Sequence, residues 1–188
     1  MNFSLTEEQE MLKKSARDLL TGKCPPKVVR ELEKSERGYS PELWREIAGL
    51  GWLGLVFPEE DGGSGMSFLD LAILLEEMGR AALPGPFFST VVLGGLTLLD
   101  AGSREQKQKY LPRIAGGEAI FTLALSEPSA GFDAAAISVR AVATGDNYVI
   151  SGPKLFVPDA HIADYLLCVA KTRERARPEG RITVFIVD

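Results

Sequence analysis

Histidine is almost missing from this chain. His161 is the only one among 188 residues, so neither a histidine-based metal centre nor a Ser-His nucleophile pair has enough parts, and the imidazole reads as a surface or strand-end residue. Cysteine is nearly as scarce. Cys24 ends a helical segment before a double proline and Cys168 sits in the apolar run Tyr165 to Ala170, so the two share no metal or redox spacing. Both are expected to be free thiols, Cys168 as a small core residue. A basic excess is missing too: 21 Lys and Arg stand against 26 Asp and Glu, a net charge of −5 with the signs interspersed. Without a basic stripe to neutralise phosphates, nucleic acid is a poor partner. The longest strongly apolar stretch, Pro86 to Leu99, is too short to cross a bilayer and is broken by Gly94 and Gly95, and no basic, apolar, small-residue leader opens the chain. No membrane partner and a cytoplasmic location are therefore expected.

What the chain does have is the composition of an ordinary globular protein, 45% hydrophobic and 25% charged. Up to about residue 118 the apolar residues recur at helical spacing. Thr6 with Gln9 forms a capping-box start, and Leu12, Ala16, Leu19 and Leu20 follow until Cys24. Val28, Val29 and Leu32 mark a short second helix. Ser40-Pro41 opens a third, with Leu43, Trp44, Ile47 and Leu50 on its packed face. Ser67 caps a largely apolar helix, with Gly79 suited to the position past its end, and Phe87 to Leu99 reads as another buried helix. Ser103 with Gln106 starts a last one, ending near Gly116-Gly117.

From Ala119 the period changes to two. Ile137 to Ala141, Tyr148 to Ile150, Leu155 to Val157, Tyr165 to Ala170 and Ile182 to Val187 are short β-type runs, with Gly145-Asp146 as a hairpin turn. The expected class is α+β: an all-α helical bundle over residues 1–118, then an incomplete β-barrel or sandwich over 119–188. The sequence stops directly after the last run, without the segment that would close a sheet, so unpaired backbone groups at an edge, covered by something else, are expected. Gly62-Gly63-Ser64-Gly65 is not a dinucleotide fingerprint, since no strand precedes it, Phe68 stands where the third glycine belongs, and Gly85 occupies the acidic position.

Four segments stand out: Gly51 to Gly65, Leu75-Glu76-Glu77-Met78-Gly79-Arg80, Ser126-Glu127-Pro128-Ser129-Ala130-Gly131-Phe132-Asp133, and Ser151-Gly152-Pro153-Lys154-Leu155-Phe156-Val157-Pro158. The third ends an extended run with a Pro and Gly turn whose backbone N–H groups need partners, so it can hold an anion or a ring edge; a tight turn with Asp133 bonding its own backbone is the plainer reading. Together the four resemble the acyl-CoA dehydrogenase flavoproteins, over essentially the whole chain.

That resemblance implies FAD as cofactor and an acyl-CoA substrate desaturated between its alpha and beta carbons. It places Leu123, Leu125, Ser126, Gly131, Phe132, Phe156, Val157 and Pro158 along the flavin. Phe132 stands where the family has a serine touching flavin phosphate or thioester. Pro158 replaces a threonine whose hydroxyl bonds the flavin's reactive nitrogen, and supplies neither hydroxyl nor N–H. Phe88, Ser89, Val92 and Leu93, with Phe132, are the implied acyl-binding residues, and Leu83 to Phe88 resembles members acting on bulky, sterol-like or branched acyl groups. The family's proton-removing carboxylate belongs to a C-terminal helical domain, so no catalytic residue is assigned here, no metal is expected, and the chain alone is expected to be inactive. Glu127, at a turn start, is expected to make a structural bond. A homo-oligomer, or a hetero-oligomer with a related subunit, and an electron-accepting flavoprotein are the implied partners. The alternative is a non-catalytic scaffold subunit of a heteromeric enzyme.

Overall fold

Capping chemistry fixes where the helices begin. The structure, a computed structural model, describes residues 4–128, 136–145, 147–172 and 182–188. Thr6 Oγ1 accepts from Gln9 N–H at 3.2 Å while Gln9 Oε1 accepts from Thr6 N–H at 3.1 Å, opening α1 (Glu7–Lys23). Pro25 and Pro26 then force a break, and α2 (Pro26–Glu33) starts with proline at its first position. Ser40 caps α3 (Pro41–Gly49), which buries Leu43, Trp44 and Ile47. Two single 3₁₀ turns, Trp52–Gly54 and Glu59–Asp61, lead to α4 (Phe68–Arg80), opened by the Ser67/Asp70 capping box. Gly79 stays inside α4 instead of ending it. The left-handed turn past the end falls to Ala82, with φ +48°, because Leu83 N–H reaches back to Met78 O.

The run from Phe87 to Leu99 is not one regular buried helix. Phe88–Gly95 is wound as a π-helix, followed by α5 (Leu96–Ala101), and Phe88 is exposed. The two glycines of this segment let it lie against bulky neighbours: a Cβ on Gly94 would sit 2.5 Å from Phe121 Cβ, and one on Gly95 2.5 Å from Phe57 Cζ. Thr90 Oγ1 ties it to Phe121, at the start of the first strand, accepting from Phe121 N–H at 3.2 Å and donating to Phe121 O at 3.3 Å, fully buried. A Thr90→Val variant leaves both backbone groups of Phe121 without that hydroxyl, so urea unfolding is expected to show a loss of about 1–3 kcal/mol. Unchanged stability would show that this tie carries nothing. Helix α6 (Arg104–Ala115) closes the helical part, with the Ser103/Gln106 capping box at its start.

The described strands are β1 (Phe121–Ala124), β2 (Arg140–Thr144), β3 (Asn147–Ser151), β4 (Tyr165–Lys171) and β5 (Ile182–Val187). They form one mixed sheet. β4 pairs with β1 in parallel, Phe121 opposite Tyr165, and with β5 antiparallel, Leu166 opposite Val187. At its far end Lys171 meets Arg140, so β1 and β2 follow one another along the same side of β4. β2 and β3 make the hairpin, Thr144 opposite Asn147, with Gly145 at φ +62°; Asp146 lies outside the described residues. Leu155 to Val157 is not a strand, against expectation: φ is +141° at Gly152 and +52° at Phe156, and neither value continues a pleat. The α+β class holds. Helices and sheet share one core in which Phe57, Leu111 and Ile114 pack with Phe121 and Leu167, and the rings of Phe121 and Tyr165 stack at 4.8 Å. Both cysteines are free and buried, and His161 is exposed.

Candidate functional site

Two loops meet beyond the end of β1. The chain leaves the sheet at Leu125 and Ser126, and the segment after β3 comes back to it: Leu155 N–H donates to Ser126 O at 2.9 Å. One residue earlier, Lys154 Nζ donates to Leu125 O at 3.2 Å and to Glu127 Oε1 at 2.6 Å. The Glu127 side chain is completely buried and also accepts from Ser138 N–H at 2.7 Å, Ser138 Oγ at 2.6 Å and Val139 N–H at 3.2 Å. Burial alone would raise the pKa of this carboxyl, but Lys154 and the Ser138 and Val139 donors bring it down to about 2. The structural role expected of Glu127 is therefore what it has.

Phe156 projects from this clamp into solvent, 92% exposed, on a backbone in the left-handed region. A bulky residue there is strained, and such strain concentrates where a side chain must be presented to a ligand. Val157 is half-buried. Pro158 is exposed, and its carbonyl already accepts from Thr122 Oγ1 at 2.6 Å. Asp159, also left-handed at φ +54°, accepts from the buried Ser89 Oγ at 2.5 Å. Ser126 is half-buried, and its hydroxyl has no hydrogen-bond partner among the described residues. Leu123 and Leu125 pack against Ile137 and Val169. The structure thus brings Leu123, Leu125, Ser126, Phe156, Val157 and Pro158 into one region, while Gly131 and Phe132 lie outside the described residues.

Of the five residues expected at an acyl group, Phe132 lies outside the described residues and the other four are spread over different surroundings. Phe88 helps to line an apolar cavity of about 330 Å³ together with Leu75, Met78, Leu83 and Phe87. Ser89 is buried and engaged by Pro86 O and Asp159. Val92 packs into the helical core, and Leu93 is half-buried with its carbonyl taken by Thr97 Oγ1. Sequence reasoning missed Thr122, Asp159 and the bracketing role of Lys154. Only Lys154 left a signal, as the charged member of its motif.

Among the described residues no group of His, Cys, Asp and Glu could hold a metal ion, and no helix is long and apolar enough to cross a membrane. Comparison with known proteins shows the family of the chain. Residues 6–118 match the model of the acyl-CoA dehydrogenase N-terminal domain, and residues 122–188 match that of the acyl-CoA dehydrogenase middle domain. The chain belongs to the acyl-CoA dehydrogenase family. It is similar to cyclohex-1-ene-1-carbonyl-CoA dehydrogenase of Geobacter metallireducens, 38% identical over 98% of this chain and 48% of that protein. It is also similar to mitochondrial isovaleryl-CoA dehydrogenase of Pongo abelii, 35% identical over 98% of this chain and 44% of that one. The ChsE4-ChsE5 complex of Mycobacterium tuberculosis superimposes with a TM-score of 0.85 at 35% identity, over 100% of this chain and 48% of the solved one. The chain spans about half the length of the curated relatives it matches.

FAD is the cofactor of this family. The residues present fit a flavin ring on two counts, the exposed aromatic face of Phe156 and the hydroxyl of Ser126, which has no hydrogen-bond partner among the described residues. At Pro158 no donor is available.

Proposed function

We propose that this chain forms the flavin-side wall of an acyl-CoA dehydrogenase-like enzyme that desaturates an acyl-CoA thioester between its alpha and beta carbons. FAD, when bound, would supply the hydride acceptor. Phe156 would offer its ring face, Ser126 a hydroxyl, and the backbone of Leu123 and Leu125 an edge, with Val157 beside them; Gly131 and Phe132 belong to the same proposed site. Phe88, Ser89, Val92 and Leu93 are proposed to bound the acyl group from the helical side, within a division of the chain into units 1–118 and 119–188. The observation that carries this reading is the presentation of Phe156 next to Ser126 on two loops joined by the Leu155 to Ser126 hydrogen bond.

Glu127 is not the base. A general base works with a pKa near the operating pH and within reach of its proton, whereas this carboxylate is buried, held at about 2 and committed to Lys154 and Ser138. We propose that the proton-removing carboxylate comes from outside this chain, from a helical domain of the full enzyme, so that the chain alone is inactive. Cytoplasmic location, an oligomeric state and electron delivery to an accepting flavoprotein belong to the same proposal.

The test is direct. Purified protein mixed with FAD and then desalted is expected to stay yellow, and Phe156→Ala to weaken retention several-fold, as loss of a ring contact worth roughly 0.5–1.5 kcal/mol requires. Protein that remains colourless with excess FAD overturns this reading and favours a scaffold subunit of a heteromeric enzyme. Pro158 is the observation on that side: it lacks an N–H, and its carbonyl is already occupied by Thr122.

A further inference from the structure

Ser126 is held on both flanks by one ammonium group. Lys154 Nζ bonds the carbonyl of Leu125 on one side of it and the carboxylate of Glu127 on the other, while Leu155 N–H takes the carbonyl of Ser126 itself. Two residues past Lys154 stands Phe156. We propose that Glu127 and Lys154 are a positioning pair that sets the placement of the Phe156 ring relative to the Ser126 hydroxyl, and thereby the fit of the flavin; the flavin part of this inference rests on the function proposed above.

Three observations carry it. First, the pair is dry, with the Glu127 side chain at 0% and Lys154 at 9% exposure. A buried ion pair gives little stability over apolar groups of similar volume, so its value here lies in direction: charged groups bond only in narrow geometries, whereas an aliphatic contact tolerates sliding. Second, the remaining acceptor capacity of Glu127 is filled by Ser138 and Val139 at the entry to β2, which anchors the pair to the sheet and not merely to a second loop. Third, the two loops have no shared strand register. Leu155 to Val157 is not pleated, so sheet pairing cannot fix where Phe156 sits; the Lys154 contacts and the Leu155 bond hold it from the N-terminal side, as the Thr122 bond to Pro158 does from the other.

The experiment compares wild type, the double variant Glu127→Gln/Lys154→Met and the control Glu8→Gln, at an exposed position of α1. Gln keeps one acceptor oxygen for Ser138 and Val139 and Met keeps the lysine's stem, so the double variant removes both charges together and leaves neither unpaired. Two quantities are read: hydrogen exchange at the Leu155 amide relative to the Leu167 amide in β4, and the dissociation constant for FAD. The double variant is expected to speed Leu155 exchange at least tenfold with Leu167 unchanged, and to weaken FAD at least tenfold. Glu8→Gln is expected to stay within threefold of wild type on both. If the double variant does not fold, Lys154→Arg serves: it keeps the charge but changes the reach, and is expected to move the same two readouts in the same direction by a smaller factor. A folded double variant, or failing that a folded Lys154→Arg, with Leu155 exchange within twofold of wild type overturns the positioning role. Wild type that binds no FAD overturns the flavin reading, and Leu155 exchange then decides on its own whether the pair positions the loop.

Discussion

Gly63→Ala is expected to leave little folded protein. An added Cβ would lie 2.1 Å from Phe57 O and 2.5 Å from Gly54 O, both backbone atoms, so no flexible side chain can yield to it. Those carbonyls are already committed, Gly54 O to the N–H groups of Phe57 and Ser64, and Phe57 O to that of Gly65. Moving them drags Phe57, a fully buried ring packed with Leu98, Leu111 and Phe121, out of the shared core. Overpacking of this kind costs about 3 kcal/mol or more when the backbone must shift, a large share of a domain's whole stability. Gly65→Ala is the internal comparison. It has open space around it but φ +63°, so only the left-handed penalty of roughly 1–2 kcal/mol applies. Thermal and urea denaturation of the two variants should therefore separate clearly, and a Gly63→Ala protein as stable as Gly65→Ala would refute the close approach.

Acid is expected to unfold this protein through two carboxylates. Glu77 is fully buried between Arg17, at 2.6 and 3.0 Å, and Arg80, at 2.9 Å; the Arg17 hydrogen bonds, against the opposing effect of burial, hold it at about 2. Glu127 stands at the same value for the reasons given above. Both pKa values are lower in the folded than in the unfolded chain, where a glutamate titrates near 4.3. Their stabilisation is thus fully present above about pH 4.5 and is lost as the pH falls toward 2. The loss amounts to roughly 3 kcal/mol for Glu127 and less for Glu77, whose arginine partners are about half exposed and solvent-screened. Urea midpoints measured from pH 6 down to pH 2 should fall steeply below 4.5 in wild type and less steeply in Glu127→Gln and Glu77→Gln. Curves that stay parallel would rule these groups out as the acid trigger.

Local chemistry made much of this fold legible. Thr6, Ser40, Ser67 and Ser103 each start a helix because a hydroxyl and the residue three positions on suffice to cap it, and nothing distant need be known. The same locality explains the failures. Phe87 to Leu99 carries an apolar pattern that suits any buried helix, while its π-winding accompanies the seating of Gly94 against Phe121 and of Gly95 against Phe57, contacts invisible in a linear reading. Leu155 to Val157 is a short β-type run in sequence, yet Lys154 and Leu155 bind the loop after β1, and the positive φ of Phe156 accompanies that non-local grip. At the site, Ser126 and Phe156 were readable through the resemblance of their motifs. Asp159 and Thr122 were not, since a Ser89–Asp159 bond and a Thr122–Pro158 bond join segments far apart in the chain. Gly63 belongs with them, because a glycine-rich turn looks the same in sequence whether it faces water or another backbone.

The central place of β4 has a consequence for the order of assembly. Its parallel partner β1 lies far upstream, so no hairpin can seed that pairing and the closure of a long intervening chain must come first. While the polypeptide emerges from the ribosome, the helices can coil early, but the cluster of Phe57, Leu111 and Ile114 is incomplete until Leu167 arrives. Maturation of the helical half therefore waits on the late arrival of a strand, and a nascent chain halted before Tyr165 would carry a sticky apolar face in need of a chaperone.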